Sequence, residues 1–189
     1  MSAADVNALR AERVAATAER RWLFIVSAIL VLLVAMMIVT SLHWAAMPPS
    51  RVETVDIRAL HVQGEFVDSN LGTAVEPSGQ VTVRLVAQQY SFEPPCIVVP
   101  ADTPVSFRAT STDAIHGFVI GTTNANTMLV PGFVTTFTTR FHKPGTVLMP
   151  CHEYCGVGHE AMWAHVQVVP TQEFFAKARD VRRLTCVAR

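Results

Sequence analysis

Hydrophobic positions follow two different rhythms along this chain, and the change between them divides it. From Trp22 to Leu42 the stretch WLFIVSAILVLLVAMMIVTSL carries no charge. At about 1.5 Å rise per residue, about 20 helical residues cross the roughly 30 Å hydrocarbon core of a bilayer. Residues 22–42 are therefore expected to form a transmembrane helix. A secretory apolar segment is shorter, roughly 7–15 residues, so an uncleaved anchor is expected rather than a signal removed near Ala45-Ala46. Residues 1–21 are rich in Ala, Arg and Glu, good helix formers, and should continue that helix. From Val81 the rhythm changes to alternation: Val81, Val83 and Leu85 flank Thr82 and Arg84, as in a half-buried strand. Further strands are expected at Cys96–Val99, Val105–Ala109, Phe118–Ile120, Asn126–Val130, Val134–Phe141, Thr146–Met149 and Ala164–Val169. Pro94-Pro95, Asp102-Thr103-Pro104, Pro131-Gly132 and Pro144-Gly145 separate them as turns.

This pattern predicts a mainly β fold, a sandwich or barrel of antiparallel sheets behind one N-terminal transmembrane helix. Its parts are a helical segment 1–21, a membrane helix 22–42, a linker and irregular lead-in 43–80 (with Pro48-Pro49), a β domain 81–170 and a C-terminal helix and tail 171–189. The tail's helix is placed at Thr171–Arg183, on the surface. Arg10, Arg13, Arg20 and Arg21 precede the span, and the next basic residue is Arg51. The positive-inside rule puts the N-terminus in the cytoplasm and the β domain outside, in the periplasm or its equivalent. Lys plus Arg equal Asp plus Glu at 15 each, which lacks the basic excess a nucleic-acid partner requires.

Candidate chemistry is concentrated in Pro150–Met162, PCHEYCGVGHEAM, which spaces Cys151, Cys155, His159 and Met162 by four, four and three. Thiolate, imidazole and thioether donors select copper over magnesium or calcium. With His116 upstream, the donors exceed what one ion needs. Two metals of coordination number about four require about eight bonds. Bridging Cys151 and Cys155 give half of them, and His116, His159, Met162 and the Glu153 carbonyl complete the set. A filled set suits electron transfer, since catalytic metals keep a position open. Zinc held by two Cys and two His is the competing reading, and a Cys151–Cys155 disulfide another.

These residues resemble the dinuclear copper (CuA) motif of subunit II of haem-copper cytochrome oxidases, over residues 81–169 and the single span. The one span and the Ile-His-Gly-Phe and Tyr-Cys-Gly-x-Gly-His runs are similar to the B-type oxidases. The resemblance implies a cupredoxin-like fold in an inner-membrane protein. It implies electrons accepted from cytochrome c or a similar periplasmic donor and passed to haem in the catalytic subunit I, where O2 is reduced to water with proton translocation. It implies Tyr90 as the point where electrons arrive, with Phe92 and Trp163 as rivals, Glu19 at the mouth of a proton path, and the Glu153 side chain on a magnesium ion at the subunit boundary. A membrane-anchored copper carrier or storage protein is the alternative function, and the copper domain of nitrous oxide reductase shares the motif but needs a further large domain.

His116 and His159 require partners on their second ring nitrogens, and Asp113 and Asp102 are both candidates. His142, His152 and His165 are read as surface or core residues. Cys96 and Cys186 share the oxidising side, so a disulfide returning the tail to the domain is expected from compartment alone.

Overall fold

The structure is a computed structural model describing residues 3–44 and 52–187. Pro48-Pro49 and the rest of 45–51, part of the expected linker, lie outside the described residues. The chain divides into two units, Met1–Ser50 and Arg51–Arg189.

The first unit is a single helix, α1 (Ala3–Trp44). Within Glu12–Leu42 an 18-residue apolar window reaches a mean hydropathy of 3.0, and none of that window is buried in protein. Leu23, Phe24, Ile29, Leu32, Met37 and Leu42 are all exposed. The helix is long and apolar enough to cross a membrane. Segment 1–21 and span 22–42 thus run on as one helix where the structure describes them.

The second unit is a pair of sheets. The first joins β1 (Gly72–Val75), β2 (Val81–Gln88), β5 (Pro104–Ser111) and β8 (Thr135–Arg140), with β3 (Ser91–Glu93) on β2. The second is ordered β4 (Cys96–Pro100), β10 (Trp163–Val169), β9 (Gly145–Pro150), and a ribbon of β6 (His116–Val119) and β7 (Asn126–Leu129) closes one end. Inward residues of both sheets make the core: Val83 and Leu85, Phe107 and Ala109, Ile97 and Val99, Val166 and Val168. Phe118 from β6 enters this core edge-on to Phe92 at 6.0 Å, which ties the ribbon to the sheets.

The expectation of antiparallel sheets is corrected. β2 runs parallel to β5, with Val83 beside Phe107, and β4 runs parallel to β10. Between β2 and β5 the chain crosses to the other sheet as β4, so β5 returns in the direction of β2. Alternation reports which face a residue lines, not strand direction. The linker reading of 43–80 is corrected as well. Residues 72–75 form a strand, and Leu60, Phe66 and Leu71 cluster with Val86 on the outer face of β2. That cover explains why β2 is buried on both faces rather than half-buried. The C-terminal helix, α2 (Thr171–Asp180), ends earlier than expected and lies on the surface, anchored by Phe174, its one buried residue.

Beyond α2 the chain becomes a strap. Leu184 bridges Thr73 of β1, Thr185 bridges Ile97 of β4, and Cys186 forms a disulfide with Cys96. The strap joins one sheet to the other. On the covered outer face, Glu65 meets both Arg84, at 2.9 Å, and Arg108. Burial alone raises the Glu65 carboxyl, but the guanidiniums of Arg108 and Arg84 outweigh it, and it is held below its ordinary range.

Cys186→Ser opens a closure of 90 residues and is expected to cost about 2–4 kcal/mol, measured as a lower urea midpoint. Glu65→Gln removes the carboxylate that Arg84 and Arg108 share while leaving them Glu76 and Glu53 respectively, and is expected to cost roughly 0.5–1.5 kcal/mol at neutral pH. Because the folded carboxyl is depressed, its contribution is complete above the ordinary carboxylate range and lost as pH falls through the folded value. The wild-type advantage over Glu65→Gln should therefore disappear on acidification, checked by denaturant titrations at stepped pH.

Candidate metal centre

All six expected donors lie at one end of the second unit. β9 delivers Cys151 and β10 starts just after Met162. The loop between them is closed at its neck, where the Cys151 N–H donates to the Met162 carbonyl at 3.0 Å, and it is pinned to β6 by the His152 N–H on the Gly117 carbonyl at 3.1 Å. β6 brings His116 to the same place, fully buried.

The donors fall into two groups. Around the Cys151 sulfur lie His116 Nδ1 at 3.9 Å and the Glu153 carbonyl at 3.3 Å. Around the Cys155 sulfur lie His159 Nδ1 at 3.6 Å and Met162 Sδ at 3.7 Å. Ligand atoms of His116, Cys151 and Cys155 are mutually within 4.8 Å. Both cysteines are buried free thiols, so the disulfide reading is not adopted. Met162 is 1% exposed and faces the Cys155 sulfur. A lone zinc held by two Cys and two His would leave that thioether unused, while copper accepts it. The donor set thus fits copper. Burial and the neighbouring Cys151 push the Cys155 thiol up to about 11, so metal loading must displace a proton.

The choice between Asp113 and Asp102 is settled by geometry. Asp113 Oδ1 lies 2.9 Å from His116 Nε2, whereas Asp102 faces His142 at 3.1 Å. Burial acts to raise the Asp113 carboxyl, but hydrogen bonds from His116 and from the N–H groups of Gln89 and Ala114 prevail and lower it. The carboxylate holds a proton on Nε2 and leaves the Nδ1 lone pair turned to Cys151.

Three glycines and Gln89 belong to the site and were missed from sequence. A Cβ on Gly117 would lie 2.5 Å from His152 Cε1 and 2.8 Å from the Thr127 carbonyl. Gly156 has φ +139°, and Gly158 has the Tyr90 ring against it, 2.7 Å from where a Cβ would sit. The Gln89 amide donates to the Cys155 carbonyl. The signal for the glycines was present in Gly156-Val157-Gly158, since glycine marks a left-handed turn or close backbone approach. Nothing local marked Gln89.

Tyr90 and Trp163 are 40% and 47% exposed beside the donor loop, but Phe92 is wholly buried and loses its place as a rival at the surface. Tyr154 stands exposed at the loop's outer side, its ring edge-on to His159 at 5.8 Å. The Glu153 carboxylate, partly exposed, has Oε1 at 3.5 Å from His152 Nδ1. His142 is a surface residue and His165 a half-buried strand residue. Glu19 is exposed on α1.

Residues 81–169 match the family described as cytochrome c oxidase subunit II, periplasmic domain. A cytochrome c oxidase subunit 2 of Thermus thermophilus is 32% identical over 152 residues, covering 79% of this chain and 90% of that protein. A second Thermus thermophilus subunit 2 is 33% identical over 121 residues, 64% of this chain and 90% of its own length. Among solved structures, a chain of a heme-copper terminal oxidase dimer superposes with a TM-score of 0.51 at 28% identity, over 80% of this chain and 99% of that one. With these relatives and the mainly β, cupredoxin-like unit behind one apolar helix, the chain belongs to the cytochrome c oxidase subunit 2 family.

Proposed function

We propose that this chain is the electron-input subunit of a haem-copper terminal oxidase of the single-span, B-type kind. It accepts electrons from cytochrome c or a similar small donor at a dinuclear copper centre. It passes them to haem in the catalytic subunit, where O2 is reduced to water and protons are translocated. The observation that supports this best is the pairing of two buried, unbonded thiols, each with its own imidazole and a further donor. When bound, a copper pair supplies a one-electron store whose charge is spread over two metals.

The chain's own residues do the rest. His116, Cys151, the Glu153 carbonyl, Cys155, His159 and Met162 hold the ions, and Asp113 fixes the His116 ring. The neck bond of the loop keeps the donors from rearranging between charge states, and the buried sulfurs exclude water. Tyr90 and Trp163, half exposed, are the surface aromatics through which electrons arrive. The Glu153 carboxylate remains available to magnesium at the subunit boundary, and Glu19 to a proton path into the partner. α1 anchors the chain in the inner membrane, with residues 1–21 cytoplasmic and the β unit periplasmic.

Purified full-length chain loaded with copper in detergent should carry two coppers. Its EPR spectrum should show hyperfine splitting from one electron shared by two equivalent nuclei. A single-copper splitting or a lone zinc would overturn the reading. A copper carrier must release its cargo, whereas these sulfurs are buried. Loaded protein challenged with a cuprous chelator should keep its copper far longer than an oxidase turnover, and release within mixing time would favour a carrier.

A further inference from the structure

His116 and Cys155 reach the centre from segments distant in sequence, and one residue touches the supports of both. Gln89 directly follows the end of β2. Its backbone N–H donates to Asp113 Oδ2 at 2.7 Å. The other oxygen of that carboxylate holds His116 Nε2 at 2.9 Å. The side-chain amide of Gln89 turns the opposite way and donates to the carbonyl of Cys155. Gly156 supplies the left-handed backbone that presents this carbonyl, and a Cβ there would come within 2.9 Å of Gln89 Nε2 and 2.5 Å of the Tyr90 hydroxyl. The β-sheet does not need this contact, because β2 is already paired with β1, β3 and β5 through Val81–Gln88.

We propose that Gln89 is a positioning residue of the metal centre, tying the Cys155 peptide to the Asp113–His116 pair and thereby fixing the two halves of the donor set relative to each other. This rests on the copper reading above. A donor on the carbonyl of a ligand residue holds the Cα–Cβ direction of its thiolate. It also places the positive end of an N–H dipole beside the centre, where it favours the reduced, more negative state. Removing it loosens the loop and lowers the reduction potential.

Gln89→Met keeps the length of the side chain and deletes the donor. Three readouts in the full chain test the proposal: hydrogen exchange of amides 153–159 without copper, copper release to a chelator, and the potential from an optical redox titration. The expected result is faster loop exchange, copper release accelerated about 10-fold or more and a lower potential, with the unfolding midpoint near that of wild type. Gln89→Glu, which points a carboxylate at the carbonyl, should lower the potential further, and it serves as the test if Gln89→Met fails to fold. Wild-type exchange, release and potential in both variants would overturn the role of Gln89. Should wild-type chain fail to bind two coppers, the proposed function falls, and unchanged loop exchange in copper-free Gln89→Met still decides against the tie.

Discussion

Two sulfurs must be held within reach of one another without bonding, and the rest of the β unit serves that constraint. Cys151 and Cys155 are only four residues apart in a glycine-containing loop, a spacing that permits a disulfide. What keeps them apart is the framing of the loop. Its neck is closed by the Cys151–Met162 backbone bond and its flank by the His152–Gly117 bond. Each sulfur is then turned toward its own imidazole. Ordering a flexible loop around a bound ion would cost on the order of 1–2 kcal/mol per residue fixed. In this loop that freedom is already gone when the chain folds.

The donors were legible in the sequence because their chemistry is local. Five of the six lie within twelve residues, and spacing alone marked four of these, Cys151, Cys155, His159 and Met162. His116 drew its meaning from that motif, since nothing about an isolated histidine points to a partner thirty-five positions away. The strands were legible where alternation was strong, from Val81 and from Val105. They were not legible at Gly72–Val75 or Ser91–Glu93, which are too short to show a period. The lead-in read as a linker because Leu60, Phe66 and Leu71 are irregularly spaced. They fold onto Val86, a contact set by tertiary packing rather than by any repeat. Strand direction was unreadable for a similar reason: parallel pairing of β2 with β5 depends on where β4 goes, not on the composition of either strand. Gln89 was invisible because its role comes from two bonds to residues 24 and 66 positions away.

The disulfide and the thiol pair are linked through one strand. Cys96 begins β4 and lies opposite His165 of β10, whose first residue follows Met162 directly. The strap carrying Cys186 therefore secures the end of the second sheet on which the thioether donor rests. Reducing that disulfide loosens more than the tail, because Leu184 and Thr185 are also the links from β4 to β1.

The chain thus needs one cysteine pair oxidised and another reduced, in what we propose is the same oxidising compartment. Geometry alone does not secure this, since a thiol at reach is open to exchange. Chemistry adds a second safeguard. The attacking species in disulfide formation is the thiolate, and burial together with Cys151 pushes the Cys155 thiol up to about 11. A thiol shifted upward holds less of the reactive thiolate. The same burial that excludes water from the two sulfurs thus also restrains the Cys155 thiol from ionising.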